Sequence, residues 1–109
     1  MKYENKVVVV KMLEHCEKIK TYCAGLDYEQ FLSSTMIADA SVFNLLQLGE
    51  WVSKVDAAFI KANPQISWHD IRGIRHRLVH DYDNVNFDVV WESITNDLPY
   101  LIDELKKLL

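Results

Sequence analysis

The chain has 109 residues, of which 50% are hydrophobic and 26% charged, and its formal net charge is −4. This length suits one domain around one core, and we take that domain to span residues 1–109. The negative net charge excludes a uniformly basic nucleic-acid-binding protein. It does not exclude a local basic patch, because the electrostatic potential at the surface depends on where the charges lie.

The N-terminal stretch MKYENKVVVVKMLEH holds only four consecutive valines before a lysine. Such a run is too short for the apolar region of a signal peptide or for a membrane span. We therefore expect a cytoplasmic protein that has no association with membranes.

The apolar spacing is helical along most of the chain and predicts a first helix over residues 4–24. Gly25 is a natural residue to follow the helix end, and Asp27 can cap a short further helical segment. Cys16 and Cys23 are two turns apart, about 10 Å along the axis. A disulfide needs Cα atoms about 4.4–6.8 Å apart, so we expect two free, buried thiols on one face.

A second long helix is predicted over residues 34–61, because Asn63 precedes a proline that disfavours helix. Gly49 lies in its middle, where it costs about 1 kcal/mol relative to Ala. This cost suggests that another helix approaches closely there. Asn44 shares a face with Leu48 and Trp51, which predicts a buried amide that needs a hydrogen-bond partner.

Two more helices complete the chain. The third should begin at Ser67 as N-cap, with Asp70 reaching back in a capping box, and run to Tyr82. The fourth should begin after Asn86 and continue to the end, with a kink or restart at Pro99 and Asp97 as its local cap. Four amphipathic helices with short connections predict an all-α fold, an antiparallel four-helix bundle with a short extra helical segment. The fold alone names no function.

The arginines and most of the histidines are concentrated in one segment. All three arginines lie between Arg72 and Arg77, and three of the four histidines lie between His69 and His80. On a single helix Arg72, His76 and His80 would follow one stripe, whereas Arg75 and His80 would be about 140° apart. Either the last turn distorts, or the groups meet across the two-fold axis of a homodimer.

This combination of groups could cleave RNA without a metal. His80 could take the proton of a ribose 2′-hydroxyl or protonate the leaving oxygen, while Arg75 holds the phosphate. His76 and His80 have the spacing of helical zinc ligands, but no third ligand is evident, so we expect neither metal nor cofactor. Arginine and histidine residues grouped in this way are also typical of a solvent-exposed helix face or of a dimer interface that has no catalytic role. Tyr82 alone would more often be a packing residue.

Arg75, His80 and Tyr82 together form the pattern R-x4-H-x-Y. Around it, ISWHDIRGIRHRLVHDY, the following NVNFDVVWESITNDLPYLIDELKKLL and the earlier NLLQLGEWV extend the likeness over residues 35–109. The chain resembles the HepT-like toxins of the HEPN ribonuclease superfamily, which belong to type VII toxin–antitoxin systems. The resemblance implies an all-α bundle that forms a homodimer with both motifs facing one cleft, and a metal-independent endoribonuclease toxin acting on RNA.

The resemblance also implies roles for particular residues. Arg75 and His80 would be catalytic, and a small MntA-like nucleotidyltransferase antitoxin would transfer AMP to Tyr82. The added nucleotide would compete with RNA for Arg75. Arg72, His76 and Arg77 are expected to contact RNA or the partner protein. The competing hypothesis is a non-catalytic helical module that binds the nucleotidyltransferase through the same basic residues.

Overall fold

A computed structural model describes residues 1–79 and 84–109 of the chain. Within these residues all regular structure is helical, which confirms the predicted all-α fold and is consistent with a HEPN-like bundle. None of the helices seen there is both long and apolar enough to cross a membrane. The helices in chain order are α1 Tyr3–Cys23, α2 Tyr28–Ser33, α3 Thr35–Val52, α4 Ala57–Ala62, α5 Trp68–Arg72, α6 Ile74–Leu78, α7 Phe87–Glu92, a π-helix Ser93–Asp97 and α8 Leu98–Lys107.

The core lies where α1 packs against α3 on one side and against α8 on another. Apolar residues three or four positions apart give α1, α3 and α8 one buried face each. The radius of gyration of 13.9 Å is close to the value of about 13 Å expected for a compact chain of this length. The core side chains that are least exposed are Val9, Met12, Cys16, Ile19, Phe31, Leu48, Val52, Leu78, Val90 and Leu105.

The first helix and its end agree with the sequence prediction. Gly25 follows the C-cap residue with φ 75°, a backbone conformation that glycine adopts without strain. Asp27 forms a complete capping box with Gln30 at the start of α2. Cys16 and Cys23 are free and buried. Burial raises the pKa of the Cys16 thiol to about 12, with a smaller contribution from the charge of Glu17.

The prediction of one helix over residues 34–61 was wrong, because the chain breaks between α3 and α4. Asp56 begins a new helix there, and its carboxylate accepts the N–H of Phe59 at 2.8 Å. The same carboxylate accepts from Asn5 Nδ2 at 3.1 Å and faces Lys2 Nζ at 3.4 Å, so α1 holds the break in place. Val55 is buried within the turn, and its N–H donates to the Val52 carbonyl at 3.3 Å.

The prediction of one helix from Ser67 to Tyr82 was also wrong. The helix is divided at Gly73 into α5 and α6 and ends at Leu78, since Val79 has extended backbone angles of φ −117° and ψ 116°. Ser67 is the N-cap residue of α5, but its side chain makes no capping hydrogen bond, so the expected capping box is absent.

The last helix begins as predicted, with the Asn86 side chain accepting the N–H of Val89 at 3.3 Å. Pro99 lies in the first turn of α8, directly after the π-helix. Proline cannot donate a backbone hydrogen bond, and the wider π turn is one way for a helix to pass such a residue. Asp97 makes no side-chain capping bond, so its expected role as a cap was wrong.

The buried amide of Asn44 has the partners that its position requires. Its Nδ2 donates to the Ala40 carbonyl at 2.8 Å, and its Oδ1 lies 2.8 Å from Nδ1 of His15 on α1. Trp51 Nε1 donates to Nε2 of the same imidazole at 3.2 Å. This arrangement fits an imidazole protonated at Nδ1 only, which links α1 to α3 by hydrogen bonds at both of its nitrogens.

Candidate functional site

We call Arg72, Arg75, His76 and Arg77 the basic strip; they lie on α5 and α6. All four side chains are exposed, whereas Ile74 is only 6% exposed and Leu78 is fully buried. The short helix α6 therefore buries its apolar face in the core and presents its basic residues to solvent. The strip is built locally by a segment with one apolar stripe and cationic residues around it.

The position of the strip depends on a close contact between α3 and the α5–α6 segment. A Cβ atom at Gly49 would lie 2.9 Å from the carbonyl oxygen of Ile71 and 3.0 Å from Cγ2 of Ile74. Only a residue without a side chain lets the helices approach this closely. The prediction that Gly49 marks a close helix approach is thus confirmed, and the neighbour is the segment that carries the strip.

The residues at the end of α6 pair with the residues that precede α7. Asn86 N–H donates to the Leu78 carbonyl at 2.7 Å, and Val79 and Val85 form an isolated antiparallel bridge. Because Val79 is already extended, the premise of one continuous helical stripe from Arg72 to position 80 was wrong. The predicted catalytic His80 and the predicted modification site Tyr82 lie outside the described residues.

Most of the strip is available to bind a ligand. Within residues 1–79 and 84–109, the side chains of Arg72, Arg75 and His76 make no hydrogen bond or ion pair, whereas Arg77 Nη2 lies 3.8 Å from the carboxylate of Asp97. That exposed pair contributes little to stability. Unpaired guanidinium groups at a surface are the donors that phosphate oxygens prefer.

An aromatic cluster joins α2 to α7, the helix that follows the R-x4-H-x-Y motif in the sequence. Phe31 of α2 packs with its ring centroid 6.4 Å from that of Phe87 and 4.9 Å from that of Trp91. Tyr28 donates its hydroxyl to Asp88, and this hydrogen bond, together with burial and the carboxylate charge, raises the pKa of Tyr28. No pattern in the sequence indicates this cluster, because its members come from separate helices.

In the part of the chain that the structure describes, no group of three His, Cys, Asp or Glu side chains is arranged to hold a metal ion. The basic strip itself offers guanidinium and imidazole groups. Those groups can bind an anion and transfer a proton.

Comparison with known proteins gives a consistent result. The family model described as "Ribonuclease HepT-like" matches residues 12–108. A "Putative RNase" of Caldanaerobacter subterraneus subsp. tengcongensis is 30% identical over 98 residues, which cover 90% of this chain and 88% of the relative. "Probable ribonuclease HepT" of Thermococcus cleftensis is 27% identical over 108 residues, covering 99% of this chain and 98% of the relative.

A further relative, a "Putative RNase" of Methanocaldococcus jannaschii, is 28% identical over 108 residues, covering 99% of this chain and 89% of that protein. No solved structure gives a significant match. The family match covers both the helices that build the core and those that carry the basic strip. The chain therefore belongs to the HepT-like ribonuclease family.

Proposed function

We propose that this protein is the toxin of a toxin–antitoxin pair and a metal-independent endoribonuclease of the cytoplasm. The observation that carries the proposal is that Arg75 is exposed, and without a partner among the described residues, on a basic strip in a chain that belongs to a ribonuclease family. His80 lies three residues after Arg77, the last residue of the strip. Together Arg75 and His80 complete the minimal set of groups for cleaving a ribose phosphate.

In the proposed reaction His80 removes the proton of a ribose 2′-hydroxyl, and the 2′-oxygen attacks the adjacent phosphorus. The bond from phosphorus to the 5′-oxygen breaks, and that oxygen takes up a proton from water as it leaves, which gives a 2′,3′-cyclic phosphate and a 5′-hydroxyl. Arg75 donates hydrogen bonds to the phosphate oxygens, where negative charge increases in the transition state. Arg72, His76 and Arg77 hold the flanking phosphates or contact the protein partner.

We further propose that two copies of the chain share one catalytic cleft. On α3, Met36 is 82% and Phe43 57% exposed, and they are two helical turns apart on one face. Leu32 is 44% exposed and follows Phe31 in the chain. The ring of Phe31 packs on Phe87, the first residue of the helix that follows the R-x4-H-x-Y motif. Exposed apolar side chains beside a functional segment favour an interface, here with a second copy.

Cleavage of RNA in the presence of EDTA tests the enzymatic proposal. We expect the purified protein to cleave, and His80→Ala to lose about 100-fold or more of that activity, since a general base contributes at least this much. Arg75→Ala should also be inactive. The matched control is His69→Ala, an exposed histidine on α5 outside the strip, which should retain full activity.

The results separate this proposal from the non-catalytic one. Cleavage that is unchanged in both His80→Ala and Arg75→Ala would remove these residues from the mechanism. If these substitutions abolish co-purification with a nucleotidyltransferase but leave toxicity to cells unchanged, the protein is a binding module.

We propose that the antitoxin, a small nucleotidyltransferase, silences the toxin by transferring AMP to Tyr82. Negative charge and bulk placed next to the strip would oppose RNA phosphates at Arg75. After co-expression with the nucleotidyltransferase, peptide mass spectrometry should find AMP on the peptide that contains Tyr82, and Tyr82→Phe should remain unmodified. Tyr100→Phe serves as the control, because Tyr100 is an exposed tyrosine outside the motif and this variant should still carry AMP on Tyr82. AMP on another peptide, or on none, would contradict the proposal.

A further inference from the structure

A cavity of about 550 Å³ opens between α3, the α5–α6 segment and the last two helical segments. Its size lies within the range of about 300–1,000 Å³ that is typical of small-molecule sites. The inner part of the wall is apolar, and much of it is buried core. The apolar residues that line it are Leu45, Leu48, Ile66, Ile71, Ile74, Leu98 and Leu101.

One polar group in this wall lacks a partner. Ser93 is only 4% exposed, and within the described chain its Oγ is the one buried side-chain polar atom without a hydrogen bond. Buried polar groups are almost always satisfied, so an orphan hydroxyl at a cavity points to a bonding group that a ligand would supply. Ser93 is also the first residue of the π-helix, a type of distortion that is frequent at functional sites.

The charged side chains around the cavity are mainly acidic. Asp70, Glu92 and Asp97 line it and are exposed, whereas Arg77 is the one cation among its described lining residues. Arg77 lies 3.8 Å from Asp97, so one positive charge faces three carboxylates around the cavity. The balance of charge favours a cationic ligand, and it disfavours RNA, whose phosphates would face the carboxylates.

We infer that this cavity binds a small organic cation, an amine or amidine with an apolar body. The cationic head would lie between Asp70 and Asp97 at the mouth, and its N–H groups would donate to carboxylate oxygens. The apolar body would cover the leucine and isoleucine wall, and Ser93 Oγ would accept a hydrogen bond from the head group or donate to a ligand acceptor. This site shares Arg77 with the basic strip but takes a cation instead of a phosphate, and it goes beyond the proposed nuclease activity.

Binding of benzamidine to the full-length protein tests the inference, with benzamide as the neutral probe of the same shape. We expect saturable amide chemical-shift changes at residues lining the cavity, with a dissociation constant of about 1 mM or tighter. Benzamide should bind about fivefold more weakly or worse, because it lacks the charge. Equal binding of the two probes, or no saturable change at millimolar concentrations, would overturn the inference.

Four substitutions locate the site and its electrostatics. Asp70→Asn and Ser93→Ala should each weaken benzamidine binding about threefold to tenfold. Arg77→Gln should strengthen it, because it removes the cation that competes for Asp97. Asp39→Asn, an equal charge change at an exposed position outside the cavity, should have no effect. If Asp39→Asn weakens binding as much as Asp70→Asn, only the net charge matters and the assignment to this cavity is wrong.

Discussion

Gly49 decides how closely two helices approach each other, and thereby where the basic strip lies. Its backbone is in ordinary helical geometry, so the need for glycine comes from space and not from φ. The nearest atom to a methyl group added at this position would be the carbonyl oxygen of Ile71, which cannot move unless the backbone of α5 moves with it. A residue far from the strip in sequence thus sets the position of the helices that carry Arg72 and Arg75.

Gly49→Ala should lower the free energy of unfolding by about 1–3 kcal/mol, because the added methyl group overpacks the contact. Alanine would gain about 1 kcal/mol of helix propensity, so the measured loss is net of that gain. Urea denaturation measures the change. The matched control is Gly73→Ala, where the nearest atom to the new Cβ is 3.5 Å away, and we expect a change below about 1 kcal/mol. A Gly49→Ala protein as stable as the parent would contradict the packing.

The residues that the sequence could single out were those whose role follows from their own helix. Asn44 was identifiable because it interrupts an apolar face, and Gly49 because it is costly in mid-helix. Their partners could not be predicted, since His15 lies on α1 and Ile71 on α5. Likewise the position of Arg75 on a helix was predictable, but the pairing of Arg77 with Asp97 was not.

At the level of helices, the sequence predicted where helices exist and the end of the first one, but not the breaks inside the second and third. The break before α4 depends on the N-terminus of the chain, where Lys2 and Asn5 contact Asp56. The end of α6 depends on the bridge between Val79 and Val85 and on the bond from Asn86 to Leu78. These partners are distant in sequence or lie beyond the helix. Helix propensity and apolar spacing are local properties, so they cannot predict ends that depend on such contacts.

The Asp56 cap should make stability depend on pH. The N–H of Phe59, the amide of Asn5 and the charge of Lys2 lower the pKa of Asp56 in the folded chain. A carboxyl group with a lowered folded pKa stabilises the fold above its unfolded pKa of about 3.9, and that contribution is lost as pH falls through the folded value.

Asp56→Asn should therefore lower the melting temperature most at neutral pH, and the difference from the parent should shrink below about pH 4. Thermal unfolding followed by circular dichroism between pH 7 and pH 3 measures this. Asp39→Asn is the control, since the Asp39 side chain has no hydrogen bond or ion pair within the described residues, and its effect should be small at every pH. A penalty for Asp56→Asn that stays constant down to pH 3 would show that the carboxylate charge is not the stabilising feature.

At the scale of the whole molecule, the chain is flat, with principal extents of 41 × 30 × 19 Å. A thickness of 19 Å corresponds to about two layers of helices, since packed helices lie about 8–10 Å apart. So thin a molecule has little depth in which to enclose a polynucleotide. Its exposed apolar residues on α3, Met36 and Phe43, are suited to a second copy that would supply the other wall of a cleft.

If the proposed cleft pairs Arg75 of one protomer with His80 of the other, two inactive variants should complement each other. Arg75→Ala and His80→Ala proteins, unfolded together and refolded as a mixture, would form heterodimers in which one of two sites is intact. Half of a random mixture is heterodimer, so we expect about a quarter of the parent activity. RNA cleavage in EDTA measures it, with each variant refolded alone as the control. Size-exclusion chromatography confirms that the mixture is dimeric. Dimers that form without any recovery of cleavage would show that Arg75 and His80 act within one protomer, and a monomeric protein would rule out the shared cleft.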